Sequence, residues 1–127
     1  MKKMMIALVS IFLCPGVSVA GGSWGAVAYN KYSGSSGYAW KQSSMRTAKR
    51  VATRRCGKKC EVVTVFRRGC VALAVGRNVG VFGYAKSYNQ YAARREAKSQ
   101  CDRFGGKFCK IKVSVCNGKH VYRRRYY

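Results

Sequence analysis

The chain is short of acid: Asp and Glu together number 3 against 26 Lys and Arg, and there is a single histidine, His120. General acid–base catalysis needs at least two titrating groups placed across a substrate, and this inventory offers almost nothing to build one from. Glu96 and Asp102 stand six positions apart in a helical stretch, on differing faces, each with Lys or Arg nearby as a local partner. His120 lies between Lys119 and Val121 next to Arg123, Arg124 and Arg125 and reads as a solvent-facing side chain; as the base of a ribonuclease-like site it would have no partner acid. No nucleophile elbow, P-loop or dinucleotide fingerprint occurs, and the glycines fall in turns. We expect no enzyme and no cofactor.

Proline is as scarce, with Pro15 alone, and no apolar run is long enough to span a membrane. The run from Met4 to Leu13 follows Lys2 and Lys3 and is followed by Pro15-Gly16 and then Ser18-Val19-Ala20, the order of a secretory signal peptide cleaved after Ala20. Cys14 does not make this a lipoprotein signal, because Leu13 stands where a small residue is needed. We therefore expect residues 1–20 to be a signal peptide and 21–127 a single domain, periplasmic or secreted.

What is present is cysteine. Cleavage leaves 107 residues with six cysteines, Cys56, Cys60, Cys70, Cys101, Cys109 and Cys116. A domain of that size gains from cross-links, and an even count in an exported chain reads as three disulfides. A zinc site is not expected: neither half has a C-x-x-C knuckle, and thiolates oxidise outside the cytoplasm.

A self-comparison exposes a repeat. Gly37-Tyr38-Ala39 returns as Gly83-Tyr84-Ala85, and each copy is followed by alanines and a cysteine four apart: Ala48, Ala52, Cys56 and Ala93, Ala97, Cys101. Residues four apart share a helical face, so each trio is a narrow stripe that lets a helix lie close to a sheet. Ser44 and Asn89 stand four before the first alanine of each trio, as N-caps.

Around the helices, Trp24–Tyr29 and Tyr38–Trp40 read as a hairpin across a Gly/Ser turn, and Val71–Val75 and Val81–Lys86 as a second. Val62–Phe66 and Ile111–Val115 are further strands, the first nearly all apolar and so expected to be the more buried. The fold class is α+β: two β-hairpin/helix/strand repeats, over about 24–75 and 81–122, form one small antiparallel-sheet domain with two helices, ending in a basic tail at 119–127. Six cysteines allow fifteen connectivities. The repeat ranks one first: Cys56 with Cys60 and Cys101 with Cys109 as equivalents, leaving Cys70 with Cys116 to bridge the copies.

The pattern Trp24-Gly25-Ala26-Val27-Ala28-Tyr29, the alanine-spaced helix, Cys56-Gly57-x-x-Cys60-x-Val62-Val63, Phe66 and Cys70-x-Ala72-Leu73-Ala74-Val75 resembles the secreted bacterial family called domain of unknown function 4189. The likeness continues through Gly83-Tyr84, the second helix and Cys109 to Cys116. It implies a fold and an exported location rather than an activity.

Function is then read from charge. Without Lys2 and Lys3 the chain carries 24 basic residues and three acids, a net of +21, so most cations face water and repel one another. Arg46, Lys49, Arg50, Arg54 and Arg55 fall mostly opposite the first small-residue stripe, and Arg94, Arg95 and Lys98 opposite the second. Both helices covering one side of a sheet would merge these into one broad positive surface. With Arg123, Arg124 and Arg125 of the aromatic-rich tail, these residues are the candidate anion-binding set. The expected function is non-catalytic binding of anionic envelope polymers, a membrane surface or, without sequence preference, nucleic acid. Two alternatives are an inhibitor or immunity protein for an acidic exported enzyme and a secreted cationic effector.

Overall fold

A computed structural model describes residues 23–117. The signal-peptide reading, His120 and Arg123–Arg125 lie outside these residues. Within them the chain runs β1 (Trp24–Tyr29), β2 (Ser36–Gln42), α1 (Met45–Cys56), β3 (Glu61–Phe66), β4 (Gly69–Val75), β5 (Phe82–Ser87), α2 (Gln90–Arg103) and β6 (Lys110–Asn117). This is the α+β repeat expected, and its strands form two antiparallel three-stranded sheets of identical topology, β2-β1-β3 and β5-β4-β6. Among the described residues no helix is long and apolar enough to cross a membrane.

The alternation along the two central strands decides how the layers stack. In β1, Ala26 and Ala28 pack with Ala39, Ala48 and Ala52 under α1, while Val27 and Tyr29 turn the other way. In β4, Cys70, Ala72 and Ala74 pack with Ala93 and Ala97 under α2, while Val71 and Leu73 turn the other way. The small side chains thus admit the helices closely, and the large ones meet each other: Val27, Tyr29, Phe66, Val71, Leu73 and Val113 form the layer between the sheets. The order is helix, sheet, sheet, helix.

The repeated Gly-Tyr-Ala follows from the same packing. A Cβ on Gly37 would lie 2.6 Å from the Ala52 carbonyl oxygen and also against the Cys56 amide; on Gly83 it would lie 2.7 Å from that of Ala97 and against the Cys101 amide. Only glycine lets the last turn of each helix rest on its strand. Each helix starts as its sequence announces: Ser44 Oγ accepts from the Thr47 amide at 3.1 Å and Asn89 Oδ1 from the Ala92 amide at 2.7 Å.

The three disulfides are Cys56–Cys60, Cys101–Cys109 and Cys70–Cys116. The pairing ranked first by the repeat is the one found, but Cys70–Cys116 does not bridge the copies. It joins β4 to its neighbour β6 inside the second sheet, because β4 belongs to the second unit; the units divide at residues 67–68, and not after Val75. Of the two runs compared in the sequence, β3 is slightly the more buried, since Lys112 of β6 is exposed and no residue from Val62 to Phe66 is; both are edge strands, and the most buried strand is β4, with six of seven residues buried, at the centre of the second sheet. The apolar run of β3 reflects one face turned to the other sheet and the Cys60 flank of α1.

Polar side chains bridge the units instead. Asn117, 1% exposed, accepts from the Lys41 amide at 3.0 Å and donates to the carbonyls of Ser23 and Arg67. Tyr29 donates its hydroxyl to the Val79 carbonyl at 2.7 Å, with its ring 5.1 Å from that of Phe82.

Candidate functional site

The helices lie on opposite outer faces of the sandwich, so the cations of α1 and α2 do not merge into one surface. The expectation of a common side assumed one sheet; two stacked sheets turn their alanine faces, and therefore their helices, apart. The two faces also differ in kind. Helix α1, MRTAKRVATRRC, contains five cations and no acid, while α2 contains Glu96 and Asp102, two of the three acids of the chain.

On α1, Arg46, Lys49, Arg50 and Arg54 fall at helical spacings of three and four and line an open depression together with Met45 and Thr53. All four are exposed. The buried flank of the same helix is Ala48, Val51, Ala52 and Cys56, so the cationic stripe faces away from the core. Arg55 is separate: its Nη1 donates to the Tyr38 carbonyl at 3.1 Å and covers an edge of β2.

On α2 the predicted cations are occupied locally. Arg94 donates Nε–H to Ser114 Oγ at 3.0 Å, alongside Gln90 at 2.8 Å. The Arg95 guanidinium lies 5.2 Å from the centre of the Tyr91 ring. Lys98 is exposed on the helix that also carries the Arg103–Glu96 ion pair, 3.6 Å long and the one salt bridge among the described residues.

A cleft of about 220 Å³ opens where β3 and β5 part, lined by Tyr29, Val63, Phe82, Tyr84, Lys59 and Glu61 among others. By the symmetry of the units its counterpart is the junction of β2 and β6, which lie in contact, with Asn117 sealing that side. Burial beside the cleft raises the Tyr29 hydroxyl above its ordinary pKa. Glu61 is the single carboxylate here, with no second acid or histidine among the lining residues.

Sequence reasoning missed a further group. The loops after each helix hold Lys58, Lys59, Lys107 and Phe108 at the surface, next to Lys31, Tyr32 and Arg77 of the hairpin turns. The signal was available: in both units cysteines bracket a short glycine-containing segment.

Two copies of a ββαβ unit, stacked sheet on sheet with the helices outside and one helix–loop disulfide in each, define a duplicated, disulfide-stapled α+β domain. Three formed disulfides are those of an oxidising, extracellular or periplasmic setting. The chain belongs to the family described as domain of unknown function (DUF4189), whose model matches residues 24–116. Its fold is similar to the NMR structure of Rv1813c from Mycobacterium tuberculosis, at 31% identity over 81% of this chain and 80% of that one, with a TM-score of 0.58. No curated protein matches the chain.

Proposed function

We propose that the protein is an exported, non-catalytic binding protein that holds anionic polymers against the outer face of α1. The observation that carries this reading is the stripe of Arg46, Lys49, Arg50 and Arg54, four exposed cations within three turns of a helix without an acid. None of the four pairs with a carboxylate among the described residues. Such a stripe repels itself until an external anion neutralises it. Guanidinium groups at successive turns suit phosphates or carboxylates repeated along a chain, because each can form a forked pair. The rigid, cross-linked body behind the helix holds the backbone of this array in place, so that binding orders side chains alone.

The test is binding of the oxidised protein to polyphosphate, duplex DNA and lipopolysaccharide over a range of salt. Neutralising phosphates releases counterions, so affinity falls steeply as salt rises, and on DNA each phosphate contact adds about 0.9 to the logarithmic slope. The variant Arg46→Gln/Lys49→Gln/Arg50→Gln/Arg54→Gln then binds more weakly with a slope shallower by about 3–4. Binding indifferent to salt, or unchanged in that variant, removes the reading. The ranking of the three probes identifies the polymer class.

A further inference from the structure

Four loops meet at one end of the sandwich. In the first unit, Asn30, 7% exposed, donates to the Lys58 carbonyl at 2.9 Å and accepts from the Tyr32 and Ser33 amides, joining the β1–β2 turn to the α1–β3 loop. In the second, the Arg77 amide donates to the Lys107 carbonyl at 2.8 Å and joins the β4–β5 turn to the α2–β6 loop. The two pairs touch through Val79, which accepts from Tyr29 at 2.7 Å and packs under Gly34.

This end displays aromatic rings that a water-facing surface does not need. Phe104 is 66% exposed, Phe108 69% and Tyr32 77%. The loop that carries both phenylalanines is itself fixed. Between them, Gly106 packs against the disulfide, where a Cβ would meet the Cys101 and Cys109 sulfurs at 2.7 and 2.6 Å, so the loop is fixed close over the Cys101–Cys109 bridge. Phe108 has φ of 57°, in the left-handed region that a bulky side chain rarely adopts. Lys59, the residue before the second helix–loop cysteine in the first unit, has φ of 60°, so both units spend backbone strain at this point. Cations surround the rings: Arg77 lies 4.5 Å from the Phe108 ring centre and Lys31 5.6 Å from that of Tyr32, with Lys58, Lys59 and Lys107 exposed nearby. Asp102 and Glu61 are the acids of the neighbourhood and are outnumbered.

We propose that this loop end docks on the interface of an anionic lipid bilayer, with Phe104 and Phe108 entering the boundary between headgroups and acyl chains and the cations resting on lipid phosphates. Apolar rings without a polar tip gain from leaving water, and basic residues beside them are attracted to an anionic leaflet. A stacked nucleobase fits less well. One face of Phe108 is already covered by Arg77, so this ring cannot be sandwiched between two bases. This surface is distinct from the α1 stripe and does not depend on it.

The experiment measures co-sedimentation of the oxidised protein with phosphatidylcholine vesicles, with and without phosphatidylglycerol. Binding is expected with phosphatidylglycerol alone and falls with salt. Phe104→Ser/Phe108→Ser weakens it about tenfold or more, while melting temperature and polyphosphate binding stay at the parent values, since both side chains are mostly exposed. In Phe108→Trp, the added indole emission is quenched by lipid brominated in its acyl chains. Parent-level vesicle binding by the double serine variant overturns the proposal, as does an unquenched indole. Loss of single-stranded oligonucleotide binding in that variant, with vesicle binding intact, makes the end a stacking surface and overturns the lipid assignment.

Discussion

The Arg67 guanidinium lies over the Trp24 ring, 4.7 Å from its centre, at the place where the second unit has the Cys70–Cys116 disulfide. The registers fix the equivalence. Tyr29 pairs with Ser36 and Glu61 as Val75 pairs with Phe82 and Lys110, which aligns Trp24 with Cys70 on the central strands. Gly25 faces Phe66 as Val71 faces Val115, so Arg67 aligns with Cys116. A cation–π contact in one copy therefore occupies the position of a covalent bond in the other. Trp24→Cys/Arg67→Cys is expected to form a fourth disulfide on oxidation. Closing a loop of that length stabilises by about 4 kcal/mol, and losing the stack and the half-buried indole offsets about half of it. A mass consistent with two lost hydrogens and a higher melting temperature check this; two free thiols after oxidation refute the equivalence.

The native disulfides should differ in worth by the loops they close. Cys70–Cys116 spans 46 positions and Cys56–Cys60 only 4. On chain entropy alone, the alanine pair at 70 and 116 costs about 4 kcal/mol and that at 56 and 60 about 2 kcal/mol. Urea unfolding of the two variants measures the difference. An equal loss would mean that the contribution comes from local packing and not from the unfolded chain.

Gly37 and Gly83 make a matched pair of tests. A methyl group at either meets helix backbone, which cannot rotate out of the way as a side chain could. Gly37→Ala and Gly83→Ala should each cost about 2–3 kcal/mol, with the helix displaced from its strand. Alanine at Gly57, which has open space around it, is strained by its φ of 111° and ψ of −161° alone, a region that is nearly glycine's own, and should cost about 2 kcal/mol with the helix undisplaced.

Much of this arrangement is legible in the sequence. The Ala-x-x-x-Ala-x-x-x-Cys stripes and the caps at Ser44 and Asn89 specify the helices, because each is a local feature set by spacing, while the doubled cysteine pattern only ranks the cross-links, of which Cys70–Cys116 spans 46 positions. The stacking was also written in the chain, in the alternation of Ala26 and Ala28 with Val27 and Tyr29, but periodicity shows that a strand has two dry faces without showing what covers each. Hence periodicity alone does not reveal the two sheets or the separation of α1 from α2. In sequence Arg55 and Arg94 look like the other anion-binding candidates, because outward helix positions are alike there; that one caps a β2 carbonyl and the other reaches Ser114 depends on which strand lies beside the helix. The exposed loop end depends on tertiary meeting of four loops and had only the paired cysteines to announce it.

Tyr29 gives the pH dependence of the junction between units. Its hydroxyl donates to Val79 and its burial favours the neutral form, so its pKa is raised above 10.0 in the folded protein. A group with a raised folded pKa contributes stability that is intact below the unfolded value and is lost as pH climbs through the folded one. Melting temperature should therefore fall above about pH 10 by more in the parent than in Tyr29→Phe, which has no proton to lose. Parallel curves for the two proteins would show that the hydroxyl is not buried at this junction.

The α1 stripe makes a prediction about stability that is independent of any ligand. Arg46 and Lys49, Arg46 and Arg50, and Arg50 and Arg54 are like charges three or four apart, with no acid in the helix to separate them. Each such pair destabilises a helix by about 0.2–0.5 kcal/mol, so the four-glutamine variant should be more stable than the parent by about 1 kcal/mol in dilute buffer. The screening length falls from about 10 Å at 0.1 M salt to about 3 Å at 1 M, so the gap should narrow as salt is added and be nearly gone by about 1 M. Thermal melts of both proteins across salt concentrations provide the comparison. A variant less stable than its parent at low salt would show that these side chains hold the helix together, and that their excess charge is not kept for a partner.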